Sequence, residues 1–248
     1  ASDVYKRQVG KSVSSKTARR VAVVISLIVG VIFGSQFNAN WSEILLMFNA
    51  QSFGTTDPQF GLDNGFYVFV LPGLKLVLAA VAMLLGVGLV FSVVTHVLMG
   101  GIRITMPVNG RGLFSITKRC RRQLGIWLML NMFAWAVRQM IGVFDQLTVQ
   151  GSRITGASYT AVHANIPVTF IMAVLTAILG VVLGIWLMRS HTLEGQAPIG
   201  VRASAALKAW RVPVTSIAVV VVVGLVLTVA WPVLLPVSYT HLRAHETL

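Results

Sequence analysis

Six residues in the middle of the chain fall at spacings of 4, 4, 3, 4 and 3: Trp127, Asn131, Trp135, Arg138, Gly142 and Asp145. Residues three and four apart share one side of a helix, so these six form a continuous stripe. The surrounding sequence is apolar, and polar groups turned toward lipid are costly, so the stripe should face other helices or a wet cavity. Two kinds of chemistry fit it. One is a polar path for a transported species. The other, which is the preferred reading, is the fastening of one helix to the next, with Arg138 reaching outward and contacting Asp145 if the helix runs that far. Lys75, near the start of the preceding apolar run, is a competing partner for Asp145. Lys75, Asn131, Arg138 and Asp145 are therefore the candidate polar cluster, with Asp145 expected to bond at least one of the two cations.

A second group lies in the segment of about residues 40–73. Asp57, Asp63 and Asn64 fall within eight residues, among Gly54, Pro58, Gly61 and Gly65. Calcium takes six to eight oxygens, and these side chains could supply some of them. The spacing does not match an EF-hand loop, however, and Asp, Asn, Pro and Gly are the residues that close turns. Asp57, Pro58 and Asp63 are thus read as a turn-forming motif, with no metal or cofactor assigned. In the first part of the segment, Trp41, Ile44, Leu45 and Phe48 share one face, which suggests a short helix lying in a membrane interface.

Other reactive residues are few. His96 reads as an interfacial hydrogen-bonding residue. Cys120, the one cysteine, reads as an inert thiol, with lipidation as the alternative. No Gly-x-x-x-x-Gly-Lys loop, His-Glu-x-x-His, Cys-x-x-Cys or Gly-x-Ser-x-Gly occurs, so no catalytic residue is assigned.

The elements that must position these residues follow from composition. Of 248 residues 56% are hydrophobic and only 11% charged, against roughly 25% charged in a soluble domain. A soluble or disordered chain is excluded, and lipid must be the solvent for much of it. Five apolar runs, about 21–39, 74–99, 124–143, 166–188 and 213–235, are close to the roughly 20 residues that cross a hydrocarbon core as a helix. None alternates as a barrel strand would, and even the Val-rich run Ala218–Gly224 is uniformly apolar, so the fold class is all-α, a polytopic transmembrane bundle. Pro167 and Pro213 are placed at the first turns of the last two spans. Trp41, Trp127, Trp186, Trp210 and Trp231 lie near span ends. Gly30/Gly34 and Gly180/Gly184 are candidate close contacts between helices.

Charge orients the bundle. Lys11, Lys16, Arg19 and Arg20 precede the first span. Arg103, Arg111, Lys118, Arg119, Arg121 and Arg122 lie between the second and third, and Arg189, Arg202, Lys208 and Arg211 between the fourth and fifth. Only Lys75, Arg138 and Arg153 fall on the opposite side. The positive-inside rule places the larger set in the cytoplasm, where it meets anionic lipid headgroups rather than nucleic acid. Residue 9 is then cytoplasmic and residue 236 extracytoplasmic, in a bacterial plasma membrane.

Residues 1–8 (ASDVYKRQ) and 237–248 (VSYTHLRAHETL) resemble translated adapter sequence and are set apart from the transmembrane domain, 9–236, as segments expected to pack against nothing specific. Three further stretches carry a family resemblance: FGTTDPQFGLDNGFYVFVLP (53–72), HVLMGGIRI (96–104) and TGASYTAVHANIP (155–167). With the order of spans they cover nearly all of 20–236, and together they resemble a large uncharacterised family of bacterial membrane proteins best known from actinobacteria. Ala161-Val162-His163 departs from it, since an acidic residue is expected after Thr160. The resemblance implies an N-terminal bundle of spans followed by a large extracytoplasmic domain, with this chain lacking the first spans and that domain. The family has no established activity to transfer. Two functions follow as expectations: a membrane anchor and scaffold for an envelope domain, or a transporter or channel subunit using the polar face of the third span. An enzyme is the least supported class. The threading is checked with single cysteines at Gly61, Gly112 and Gly151 and a membrane-impermeant thiol reagent in intact cells. Gly61 and Gly151 should label and Gly112 should not; labelling at Gly112 without Gly61 overturns the orientation.

Overall fold

In the computed structural model, residues 15–104, 114–148, 161–190 and 199–230 are described. The terminal segments 1–8 and 237–248 lie outside them, as does Trp231. The long, mainly apolar runs become long helices, because in lipid the helix satisfies nearly every backbone group within its own segment. They are α1 (Ser15–Ala39), the short α2 (Trp41–Phe48), α3 (Leu71–Leu98), α4 (Lys118–Gly142), α5 (Ile166–Arg189) and α6 (Ile199–Leu225). Single π-helical turns, Phe66–Val70 and Ala161–Asn165, lead into α3 and α5, and another, Val226–Ala230, extends α6. A 3₁₀ turn, Phe144–Leu147, follows α4.

Among the described residues, four continuous helical segments are long and apolar enough to cross a membrane: Phe66–Leu98, Lys118–Leu147, Ala161–Arg189 and Trp210–Val229. A fifth is obtained if α1 and α2 count as one span broken by a 59° bend. Within the described residues the five expected runs therefore fall on helices, the Val-rich segment of α6 included. The expected short helix is α2, with Trp41, Leu45 and Phe48 exposed.

Two details differ from expectation. Pro213 lies near the start of the membrane-crossing stretch Trp210–Val229, as expected, but not in the first turn of its helix, since α6 begins at Ile199. The helix continues through the proline, a substitution pattern that membrane helices tolerate. Pro167, by contrast, does sit in the first turn of α5. The second difference is a two-stranded ribbon in an otherwise helical fold. β1 (Ile102–Ile104) pairs antiparallel with β2 (Phe114–Ile116), Ile102 opposite Ile116. Each strand is only three residues long, too short for its period-two pattern to register in sequence. Ile102 and Ile116 pack with Cys120, Leu124, Leu89 and Leu187, closing this end of the bundle. Thr117 then caps α4, accepting a hydrogen bond from the Cys120 amide at 3.4 Å.

Neighbours in sequence are neighbours in space: α3 packs on α4, α4 on α5 and α5 on α6. Lipid supplies no hydrophobic drive between helices, so close approach of small residues has to hold them. The tightest place is α4 against α5. A methyl group added at Gly125 would lie 2.9 Å from the Gly184 carbonyl oxygen, and one at Gly184 would lie 3.0 Å from that of Gly125. The notches left by glycine are filled by methionine. Met129 and Met132 of α4 enter at Gly184 and Gly180, and Met188 of α5 enters at Gly125. The same pairing recurs as Met47 on Gly73, between α2 and α3, and Met172 on Gly224, between α5 and α6. Gly180/Gly184 is thus a real contact. Gly30/Gly34 is not: a methyl group at either would meet nothing within 4 Å among the described residues.

Gly180→Val should destabilise the bundle by about 1–3 kcal/mol or more, since its methyls would collide with the Cβ of Met132 rather than with a movable side-chain end. Gly34→Val, an exposed change, should stay within about 0.5 kcal/mol. Thermal unfolding of the purified chain in detergent separates the two.

Candidate functional site

The glycine contact fixes α4, and α4 carries the polar stripe past α3. At the inner part of the stripe the six-membered ring of Trp127 presses on Gly88. One turn on, the Asn131 amide donates to the Leu85 carbonyl of α3 at 3.1 Å and to its own Trp127 carbonyl at 2.8 Å. An asparagine in lipid is thereby satisfied while tying two helices. Trp135 departs from the expected inward face and is 57% exposed. An indole tolerates that position through its large apolar body.

The C-terminal end of the stripe is different in kind. The helix ends at Gly142, and the following 3₁₀ turn presents Asp145 to α3, where Lys75 donates to it at 2.9 Å. Arg138 does not join this pair, and it has no hydrogen bond or ion pair among the described residues. Instead Lys75, Leu78, Arg138, Ile141, Gly142 and Asp145 line a cleft of about 220 Å³. Of the four residues expected to cluster, three surround the cleft and Asn131 lies deeper, in a separate contact.

The same 3₁₀ turn receives the loop between α2 and α3. Phe144 meets Phe60, Phe66 and Tyr67 edge-on, at ring separations of 4.9, 5.5 and 6.4 Å. The Tyr67 hydroxyl in turn donates to Asp57 at 2.7 Å. Asp57 also accepts the amides of Gln59, Phe60 and Leu62, at 2.8, 2.7 and 3.0 Å. Burial pushes its pKa up, but these four hydrogen bonds outweigh burial and hold it below the ordinary value. Asp63 accepts from the Ser52 hydroxyl and from the amides of Phe53, Gly54 and Gly65. Those donors, Ser52 first, bring its pKa down to about 2. Gly54 and Gly61 adopt φ of 68° and 67°, where a side chain would strain the turn. The motif at Asp57, Pro58 and Asp63 therefore closes turns, its carboxylate oxygens directed at N–H and O–H donors rather than at a shared cation position.

On the far side of the bundle, His96 pairs with Gln123 at 3.0 Å, joining α3 to α4 as an interfacial hydrogen-bonding histidine should. Cys120 is fully buried, so a lipidated thiol is not compatible with this packing. Arg121 was grouped with the cations that meet lipid headgroups, yet it is 1% exposed and donates to the Ser190 carbonyl at the end of α5. A cation beside the last carbonyls of a helix is favoured by their partial negative charge. Neither Arg121 nor Phe144 stood out in sequence. The first sits in a run of cations, and the second is one more aromatic in an apolar stretch.

Long apolar helices packed in chain order, with one ordered loop docked on the 3₁₀ turn after α4, define a helical bundle whose helices are long and apolar enough to cross a membrane. The chain belongs to the uncharacterised protein family UPF0182, whose sequence model matches residues 2–238. It is 99% identical over 239 residues to a UPF0182 protein of Bifidobacterium longum, covering 96% of this chain and 22% of that protein. It is 31% identical over 217 residues to one from Corynebacterium glutamicum, covering 88% of this chain and 20% of that protein. A Kocuria rhizophila relative is 37% identical over 167 residues, 66% of this chain and 16% of that protein. The actinobacterial resemblance read from the three motifs is confirmed, and the chain spans about a fifth of the length of these relatives. The match runs through residues 2–8 and 237–238, so it does not separate them from the rest of the chain. No solved structure matches.

Lys75 and Asp145 are 48% and 34% exposed, so their coupling should be about 0.5–1 kcal/mol. A double-mutant cycle on Lys75→Gln and Asp145→Asn, read by unfolding in detergent, should show that coupling, whereas Arg138→Gln and Asp145→Asn should be additive. Additive losses in the first cycle would dissolve the pair as a fastening.

Proposed function

We propose that this chain is the membrane-anchoring and scaffolding part of a larger envelope protein, with its N-terminal end cytoplasmic and its C-terminal end outside the plasma membrane. The observation that carries the reading is how the helices spend their polar groups. Asn131 binds the Leu85 carbonyl, Gln139 donates to Thr176 at 3.3 Å, His96 pairs with Gln123 and Arg121 holds the Ser190 carbonyl. Each of these fastens one helix to another. Such groups are used as mortar, where a conducting path would align them along a common wet axis. The partners that fit are anionic lipid headgroups at the cytoplasmic face, met by the cations between spans, and an extracytoplasmic part of the same protein. The length of the relatives supports the latter, since about four fifths of each lies outside the matched segment. Nucleic acid is not among these partners.

One observation favours the alternative, a transporter or channel subunit: the charged cleft at Lys75, Arg138 and Asp145. It sits at one end of α3 and α4, and Trp127 on Gly88 closes the seam between these helices further in. The two readings separate in proteoliposomes made with the purified full-length protein. The anchor reading expects potassium and chloride flux equal to protein-free vesicles, for the native protein and for Asn131→Leu alike. A flux above that background that Arg138→Gln abolishes would replace it with transport.

A further inference from the structure

The cleft between the outer ends of α3 and α4 has a charge balance that the fastening role leaves unused. Lys75 and Asp145 neutralise each other, and Arg138 then leaves one unmatched positive charge on the wall. A cation as occupant is disfavoured by two positive side chains and by the engagement of Asp145 with Lys75. An anion is favoured, and the donors have complementary forms: a planar guanidinium that can bind two oxygens at once, and a compact ammonium. The other walls are apolar. Leu78 and Ile141 line the cleft, and Val77 and Met140 stand exposed beside them. Gly142 leaves open space, with nothing within 4 Å of where a methyl group would be. A site with cationic donors on one side and apolar walls on the other fits an amphiphile with an anionic head.

We propose that this cleft binds the phosphate group of a lipid, Arg138 gripping two of its oxygens, Lys75 a third, and the acyl chains lying along α3 and α4. Asp145 is a positioning residue, holding the Lys75 ammonium at the mouth of the cleft. The same phosphate chemistry could come from a lipid headgroup or from free phosphate. The apolar walls favour the lipid. The proposal needs the helices to lie in lipid, but it holds whether the chain anchors or transports.

The test uses the purified chain in a neutral detergent and three probes: dioctanoyl phosphatidylglycerol, dioctanoylglycerol, which lacks the phosphate, and inorganic phosphate. Binding is followed by native mass spectrometry and by the shift in unfolding temperature. Phosphatidylglycerol should bind and dioctanoylglycerol should not. Arg138→Gln should weaken binding by about tenfold or more, the loss expected for a charged hydrogen-bonding pair, and Arg138→Lys should recover part of it. Because Arg138 has no partner among the described residues, the ligand-free unfolding temperature should be unchanged. Gly142→Leu, which fills the cleft instead of removing its charge, should abolish binding independently. Inorganic phosphate binding as tightly as the lipid would support the phosphate site and assign it to the free ion. Equal binding of phosphatidylglycerol by the native chain and both variants, or equal binding of dioctanoylglycerol, overturns the proposal. The flux measurement bears on the anchor reading alone, so the two fail separately.

Discussion

The contact of backbone on backbone between α4 and α5 is the constraint on which the rest of this bundle depends. Two helices in lipid gain nothing from hiding leucines, because the tails are as apolar as the side chains. They gain from dispersion, which falls steeply with separation, and Gly125 facing Gly184 lets the two axes come as close as carbonyl oxygens allow. With α4 held there, both of its ends acquire fixed partners. Its first two turns bring Arg121 to the Ser190 carbonyl just past α5 and Gln123 beside His96. The turn beyond its last residue brings Phe144 against the loop between α2 and α3, and Asp145 to Lys75.

The loop between α2 and α3 shows how an irregular segment is kept in one shape. One antiparallel bridge, Thr56 with Asp63, pairs some of its backbone, and each remaining amide left buried and unpaired would be costly. Two carboxylates take that role, six backbone amides between them, together with the hydroxyls of Ser52 and Tyr67. Tyr67 is also the junction to the bundle, since its ring meets Phe144 while its hydroxyl serves Asp57. Loop conformation and the position of α4 are therefore linked through one side chain.

The long helices, the short α2 and a cation partner for Asp145 are legible in the sequence, because each rests on length, period or charge, though the choice of Lys75 over Arg138 is not. The turn motif was legible for the same reason: Asp, Asn and Gly at those spacings have few other uses. The ribbon at Ile102–Ile116 was not, since three-residue strands carry no readable period. Nor was the start of α6: Pro213 marks a helix start in water more reliably than in lipid. Arg121 shows the limit most clearly. A charge count treats it as equal to Arg119 and Arg122, and only the packing of α4 on α5 turns one of the three into a buried hydrogen-bond donor. Gly30/Gly34 and Gly180/Gly184 have the same spacing, and the sequence alone does not say which pair has a helix opposite.

The filling of glycine notches by methionine has a redox consequence. Thioethers are unbranched and polarisable, which suits them to irregular gaps, but they are also the apolar side chains most readily oxidised. At Gly73, Gly125, Gly180, Gly184 and Gly224 the wedge is a methionine each time. A sulfoxide at any of them would put a strong dipole where the glycine notch offers a close, apolar fit. Oxidation would thus act first on the contacts that let these helices approach most closely.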